Sequence, residues 1–423
     1  MNDNIQVTRL ENGLTILTEK MPNLRSATIG IWIKKGSRHE PENLNGIFHF
    51  IEHAVFKGTN KRSALDIAVE SDKLGGNFDA YTSHEITGFS MKVVDEAVPQ
   101  AFDLLADMIA NPQFDEKELK REQRVIIEEM KMVEDTPEEY LGEIFNAAFF
   151  PNNALGLPIE GTRKTVKTFD RETTAKFHAE TFAASNIIIA AAGNTNHQQI
   201  VDLAEQYFGA SKIQNPKSKI QNPQLAAPIL LKKKPDLEQT HLIIAAPFVH
   251  AKSKQRYAAD LLANIVGGGT SSRLWQEIRE KRGLAYSVGA GAIAFEDCGM
   301  FSIYAGCSPQ KLDTVVDLSI AELRKIVKNG VTAEELELVK AQAVASILLG
   351  LESSSNRAGT LVRQEITHGR LISTNETLAN VEKVTPADVQ AVAREFFQTE
   401  RIALAALGNL NGFKVERSRL DVS

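Results

Sequence analysis

The feature that most constrains the fold of this chain is an internal duplication. A helix-like segment followed by an apolar strand occurs twice, at 177–194 and 392–409, and both copies end in Gly-Asn. A second match, Phe114–Leu119 with Val331–Leu336, is displaced along the chain by almost the same interval. Two matches at nearly one spacing indicate that the chain contains two copies of one unit.

A polar direct repeat marks the boundary between the copies. The sequence Ser-Lys-Ile-Gln-Asn-Pro occurs at 211–216 and again at 218–223. Its prolines fit neither a helix interior nor a central strand, so the stretch 211–226 is interpreted as a linker. The sequence therefore predicts an N-terminal half at 1–210 and a C-terminal half at 227–423.

Strand-like and helix-like segments cluster within each half. Residues 27–34 and 85–94 have the two-residue period of a strand, whereas 98–110 and 116–134 have the period of an amphipathic helix. Because the two types do not alternate strictly, the predicted class is α+β, with two homologous α/β-sandwich halves.

The first half contains the sequence His-Phe-Ile-Glu-His at 49–53, in a segment without helix breakers between Gly46 and Gly58. Residues at i, i+3 and i+4 share one helix face, so His49, Glu52 and His53 project together. Two imidazoles one turn apart can bind zinc while the carboxylate acts on a water molecule, which is the inverted zincin order. The flanking residues are mostly apolar and predict a buried helix, where such polar groups need a metal or other partners.

A catalytic zinc takes three protein ligands and keeps one position open, so a third ligand must come from elsewhere in the chain. The acidic helix predicted at 116–134 offers Glu122, Glu128 and Glu129. Glu122 and Glu129 are two turns apart and lie on one stripe of that helix. Spacing alone does not choose among the three glutamates.

Composition argues against several other classes of protein. The net charge of -6 comes from 54 acidic and 48 basic residues without a long run of either sign, which predicts no nucleic-acid partner. The apolar stretches fall short of the roughly 18 residues that a membrane helix needs, so no membrane span is predicted. The N-terminal sequence does not resemble a secretory signal, and only Cys298 and Cys307 are present, which predicts a cytoplasmic protein.

Through the histidine motif and the later glutamate pair, the chain resembles the pitrilysin and insulinase family of zinc peptidases, in the small branch that includes the mitochondrial processing peptidase subunits. The resemblance covers essentially the whole chain. In that family the second glutamate of the pair follows the last histidine at the same interval that separates Glu129 from His53 here. The resemblance thus implies one Zn²⁺ per chain, with Glu129 as the third ligand and Glu122 as a carboxylate that orients the site.

The resemblance also implies substrate-binding residues in both halves. In the family, an edge strand near the zinc binds an extended peptide through backbone hydrogen bonds. The matching residues here are Asp79, Ala80, Tyr81 and Thr82. An arginine and a tyrosine that follow the corresponding region of the second half polarise the substrate carbonyl in the family, and they correspond to Arg279 and Tyr286.

The second copy lacks the metal motif. Gly269 and Thr270 of the second half align with Gly58 and Thr59 of the first. In this alignment, the positions that correspond to the motif are Asp260, Ala263 and Asn264. The second half is therefore predicted not to bind zinc and to provide auxiliary groups instead.

Together these features predict a zinc endopeptidase that cleaves short or unfolded peptides in an enclosed chamber, with Glu52 as the general base. The resemblance implies a clamshell of two such chains, in which Arg279 and Tyr286 reach the zinc of the opposite protomer. Because one chain carries both the motif and this pair, a homodimer is preferred over a heterodimer with an inactive homologue. The alternatives are a non-catalytic structural or partner subunit and a metal-dependent hydrolase of non-peptide amides.

Overall fold

The computed structural model describes residues 4–210 and 222–423, so residues 211–221 of the predicted linker lie outside the described part of the chain. Helices combine with two β-sheets, as the predicted α+β class requires. The strands are β1 (Ile5–Arg9), β2 (Thr15–Lys20), β3 (Ser26–Ile33), β4 (Asn77–Thr82), β5 (Thr87–Val94), β6 (Ile187–Gly193), β7 (Ile229–Lys233), β8 (Thr240–Phe248), β9 (Ala285–Ala294), β10 (Gly299–Cys307) and β11 (Ala403–Gly408).

The helices follow the predicted amphipathic segments closely. The segments predicted at 98–110 and 116–134 form the third and fourth helices. The helices are α1 (Ile47–Ala54), α2 (Ala64–Leu74), α3 (Val98–Ala110), α4 (Glu116–Asp135), α5 (Pro137–Phe149), α6 (Arg163–Val166), α7 (Arg171–Thr181), α8 (His197–Phe208), α9 (Arg256–Gly267), α10 (Leu312–Asn329), α11 (Ala333–Gly350), α12 (Ser354–His368), α13 (Thr374–Glu382) and α14 (Pro386–Phe396).

The two sheets share one topology. The first has the strand order β1-β2-β6-β3-β5-β4 and the second has the order β7-β11-β8-β10-β9. In each sheet one pair is parallel, β2 with β6 and β7 with β11, and the remaining pairs are antiparallel. Apart from β1, the strands correspond in order and direction, which confirms the predicted duplication.

The described residues form two compact units, and each unit includes a segment from the other half of the sequence. The first unit contains 348–373, which carries α12, and the second contains 132–156, which carries α5. These two segments take corresponding places in the two copies, because both ends are displaced by nearly the interval of the duplication. The compact units differ from the halves predicted at 1–210 and 227–423 by this exchange of segments.

In the first unit, both faces of the sheet are covered. Ile187 and Ile189 of β6 face a core formed with α1, α3 and α8, whereas Ile188 and Ala190 face a second core formed with α12. Alternate residues of a strand point to opposite faces, so a strand covered on both sides reads as a continuous apolar run. The exchanged helix α12 therefore completes the packing of the first sheet.

The second unit is built in the same way. One face of its sheet packs against α9, α10 and α14 in a large apolar core. On the other face, Leu141, Phe145 and Phe149 of α5 pack with Ala405 and Leu407 of β11. Within the described residues, no helix combines the length and the apolar character needed to cross a membrane.

Candidate active site

Helix α1 presents the three motif residues on one side and apolar residues on the other. Its apolar side chains, Phe48, Phe50 and Ile51 among them, are fully buried in the core of the first unit. His49 and His53 are only partly buried, and their rings lie 4.7 Å apart between centroids. The apolar period thus fixes α1 against the sheet and turns the polar stripe away from the core.

Helix α4 brings one of the three candidate glutamates to the histidines. Ligand atoms of His49, His53 and Glu129 all lie within 4.8 Å of one another. His53 Nε2 is 3.6 Å from Glu129 Oε2. Glu128 has a side chain that is 66% exposed and pairs with Lys131 at 2.7 Å. Geometry therefore separates Glu129 from Glu128, which the sequence left open.

Glu122 lies beneath the cluster and contacts His53 directly. Its Oε2 is 3.2 Å from His53 Nδ1, and its Oε1 is 2.9 Å from Lys57 Nζ. Burial alone would raise the pKa of Glu122, but the hydrogen bonds from His53 and Lys57 outweigh it and lower the pKa. Because an ionised carboxylate only accepts, Nδ1 of His53 carries a hydrogen, and Nε2 is the ring nitrogen that faces Glu129. Burial lowers the pKa of His53, but the hydrogen bond to Glu122 and the charges of the neighbouring glutamates outweigh it and raise the pKa.

The protonation state of His49 fits a metal site. Burial, followed by the neighbouring charge of His53, lowers the pKa of His49 to about 3, so His49 is the neutral imidazole that binds metals. Its Nδ1 is buried and has no hydrogen-bond partner among the described residues. Two imidazoles with one carboxylate are ligands that Zn²⁺ accepts. The residues present therefore suit a divalent zinc ion.

Glu52 is held by the last residue of the edge strand β4. The hydroxyl of Thr82 donates to Glu52 Oε2 at 2.6 Å. Burial raises the pKa of Glu52 above its usual value, and the hydrogen bond from Thr82 opposes that rise. This contact was missed from the sequence, where Thr82 was assigned only to the substrate strand. The alternation of buried positions along β4 puts Thr82 on the same strand face as Phe78 and Ala80, towards the core.

The predicted substrate strand is at the edge of the first sheet. Strand β4 pairs with β5 on one side, and among the described residues no strand pairs with its other side. Ala80 and Thr82 are half-buried, whereas Asp79 and Tyr81 are exposed on the opposite face. The unpaired backbone of β4 is the kind of edge to which an extended peptide can add.

Arg279 and Tyr286 belong to the second unit and contact each other. The guanidinium carbon of Arg279 is 4.8 Å from the centre of the Tyr286 ring and 4.0 Å from the centre of the Trp275 ring. Tyr286 is 78% exposed. Trp275 was not identified from the sequence, and its place one helical turn before Arg279 is the signal that could have found it.

Comparison with known proteins decides the family. The model described as Insulinase (Peptidase family M16) matches residues 15–163, and the model described as Peptidase M16 inactive domain matches residues 168–343. An uncharacterized zinc protease of Streptomyces coelicolor is 36% identical over 98% of this chain and 91% of its own length. The chain belongs to the insulinase family of peptidases, M16. The predicted family membership is confirmed.

A second relative agrees with this assignment, and two solved structures share the fold. The uncharacterized zinc protease YmxG of Bacillus subtilis is 36% identical over 94% of this chain and 96% of its own length. A protease from Helicobacter pylori matches in fold with a TM-score of 0.88 at 23% identity, covering 95% of this chain and 99% of that one. A chain of complex III from Candida albicans matches with a TM-score of 0.84 at 19% identity, covering 98% and 99%. At these identities the structural matches concern the fold alone.

The second half of this M16 chain differs from the first where the metal motif would be. Helix α9 takes the place of α1 in the second copy and carries Asp260, Ala263 and Asn264. The amide of Asn264 donates to the backbone oxygen of Asp260 at 2.8 Å, within the helix. In 4–210 and 222–423, the cluster of His49, His53 and Glu129 is the one group of this kind that could hold a metal.

Proposed function

We propose that the protein is a zinc-dependent endopeptidase, with His49, His53 and Glu129 binding one Zn²⁺ per chain. One observation carries the proposal: the ligand atoms of these three residues converge within 4.8 Å of one another. Glu52 lies on α1, the same helix as the two histidines. The zinc protease names of its M16 relatives support it at the level of the family.

Glu52 acts as the general base in this proposal. When bound, zinc is a Lewis acid that lowers the pKa of water and polarises a carbonyl group. Thr82 occupies Oε2 of Glu52, which leaves Oε1 to accept a proton from the attacking water. The same carboxyl then delivers the proton to the amine that leaves when the peptide bond breaks. Glu122 holds the ring of His53 through this cycle.

Short or unfolded peptides are the proposed substrates. A peptide that adds to the edge of β4 would form backbone hydrogen bonds along Asp79 to Thr82, next to Glu52. Backbone recognition tolerates many side chains, so peptide length and lack of structure would select the substrate more than a local motif does. An enclosed chamber around the site is part of the same proposal.

Arg279 and Tyr286 are proposed to polarise the scissile carbonyl across a homodimer. Their side chains lie together, and both carry hydrogen-bond donors suited to a developing oxyanion. In the test, the Glu52→Gln variant and the Tyr286→Phe variant, each expected to be inactive alone, are mixed. Recovery of peptide cleavage on mixing supports sites built from two protomers, whereas a mixture as inactive as its parents rules that arrangement out.

The central test combines metal analysis with peptide cleavage. Purified protein should hold about one zinc per chain and cleave quenched peptides, and a chelator should abolish cleavage. Glu52→Gln should keep the metal and lose at least about 10²-fold in kcat, because the amide cannot take a proton. Glu128→Gln is the matched control and should match the wild type. Protein that binds no zinc, or a fully active Glu52→Gln variant, would refute the proposal.

The alternative of a non-catalytic subunit has the fold of the complex III chain in its favour. The three candidate metal ligands and the hydrogen bond from Thr82 to Glu52 argue for catalysis instead. Zinc binding without cleavage of any peptide in a mixed library would favour the subunit. A cytoplasmic location stays a prediction, supported by the two buried cysteine thiols, Cys298 and Cys307.

A further inference from the structure

The segment that carries Arg279 has an unusual backbone. Residues Trp275–Glu280 form a π-helical turn, in which Lys281 N–H donates to the oxygen of Gln276 at 3.0 Å. Such turns are rare, are wider than an ordinary α-helical turn, and occur often at functional sites. The widened turn sets where the side chain of Arg279 leaves the helix.

Tyr286 also sits at an irregular position. On the edge strand β9, Ala285 is opposite Cys307 and Ser287 is opposite Gly306, so Tyr286 is an extra residue in a β-bulge. A bulge redirects the side chain of the residue it adds. Two independent departures from regular structure thus bring Arg279 and Tyr286 together.

Among the described residues, the guanidinium of Arg279 is held by aromatic rings alone. It contacts the rings of Trp275 and Tyr286, and in this part of the chain it has no hydrogen-bond or ion-pair partner. Contact through the face of a guanidinium leaves the N–H groups in its plane free to donate. Arg279 is therefore an oriented donor group that no acidic side chain of the described chain neutralises.

Trp275 is the anchored member of this group. Its ring packs against the core of the second unit, and its indole N–H donates to Glu280 Oε1 at 2.9 Å. Tyr286, by contrast, is largely exposed. Trp275 is thus fixed at both its ring and its N–H, and the centre of its ring lies 4.0 Å from the guanidinium carbon of Arg279.

We propose that Trp275 is a positioning residue that fixes the guanidinium of Arg279 for contact with the carbonyl of the peptide substrate. The inference rests on the proposed function, in which Arg279 touches the substrate. It adds a residue that acts only through Arg279.

A double-mutant cycle tests this role. Trp275→Leu should lower kcat roughly tenfold with less change in KM, and Trp275→Phe, which keeps a ring face, should recover most of it. Arg279→Gln should cost about 10²-fold, as the loss of one oxyanion donor does. In the Arg279→Gln background, Trp275→Leu should have no further effect, because residues that act as a unit are not additive. Arg282→Gln, which removes a nearby arginine paired with Glu277, is the control.

A second measurement separates this inference from the proposed function. The rate at which phenylglyoxal modifies Arg279, followed by mass spectrometry, should rise several-fold in Trp275→Leu while the rate for Arg282 stays constant. If Arg279 becomes more reactive but Arg279→Gln is fully active, the catalytic role of Arg279 fails. If Trp275→Leu lowers kcat equally in both backgrounds, or leaves the reactivity of Arg279 unchanged, Trp275 does not position it.

Discussion

At the residue scale, burial and hydrogen bonding distinguish glutamates that the sequence treats alike. Glu122, Glu128 and Glu129 lie within two turns of α4. Glu122 is 5% exposed and contacts His53 and Lys57, whereas Glu128 points to solvent. The three carboxylates thus differ in their contacts because they lie at different positions relative to α1.

Replacement of Glu122 should weaken metal binding. In Glu122→Gln the amide cannot hold both His53 and Lys57 through charge-assisted hydrogen bonds, so the affinity for zinc should fall by about 10- to 100-fold. Competition with a fluorescent chelator measures this change. Glu128→Gln should leave the affinity unaltered. Equal affinities for the two variants would contradict a role for Glu122 in holding His53.

Replacement of Thr82 should affect the general base. Thr82→Val keeps the shape of the side chain but removes the donor to Glu52 Oε2, so kcat should fall about tenfold. Thr82→Ser keeps the hydroxyl and should retain most of the activity. Steady-state cleavage of one quenched peptide by both variants provides the comparison. A serine variant as slow as the valine variant would indicate that packing at β4 matters instead.

At the element scale, the N-terminus of α1 depends on a residue that the sequence did not single out. Gly46 has a positive φ of 94° and provides no side-chain cap. Glu40 instead accepts hydrogen bonds from the backbone N–H groups of Gly46 at 2.7 Å and Phe48 at 2.8 Å. The carboxyl group of a residue in the preceding loop thus satisfies the first N–H donors of α1.

The burial of Glu40 should make stability depend on pH. Burial raises the pKa of Glu40 to about 8, although the N–H donors oppose that rise. The unfolded chain releases this proton near pH 4.5 and the folded chain only near 8, so the folded state retains a proton that the unfolded state has lost. The contribution to stability is therefore present at low pH and is lost as pH rises towards 8.

Denaturant unfolding of wild type and Glu40→Gln measures this effect. The free energy of unfolding of the wild type, relative to the variant, should decrease by up to about 1.4 kcal/mol per pH unit across this range. The Glu40→Gln variant is the control for the wild type because it lacks the titrating group. A difference between the two proteins that stays constant with pH would show that Glu40 has an ordinary pKa.

At the scale of the whole molecule, the exchange of α5 and α12 makes each compact unit dependent on both halves of the sequence. Without α12, the face of the first sheet that includes Trp32, Leu17 and Ile188 would lose its apolar cover. Without α5, the second sheet would lose the cover that Phe145 and Phe149 provide. An uncovered apolar face of this kind favours aggregation.

Each half should consequently fold poorly alone. Separately produced fragments 1–210 and 227–423 should bind a hydrophobic dye and be cleaved rapidly by proteases, whereas co-expression should give a protected complex. A fragment 1–210 with 348–373 fused to its end should be better protected than 1–210 alone, because the fusion restores α12. Two well-protected, soluble single halves would contradict this dependence.

The sequence by itself determined the duplication, the α+β class, the extents of α3 and α4, and the face that joins His49, Glu52 and His53. The duplication is visible as repeated segments of sequence, and the other features follow from periodicity within single elements. The family resemblance pointed to Glu129, and α4 brings it to the histidines.

Only the tertiary structure decided the contacts of Thr82 with Glu52, of Lys57 with Glu122 and of Glu40 with α1, and the exchange of α5 and α12. The π-helical turn at Trp275 and the bulge at Tyr286 belong to the same group. The long-range contacts join residues from separate elements, and the local irregularities depend on packing with neighbouring strands. No local period encodes them, because they depend on how sheets and helices pack in three dimensions.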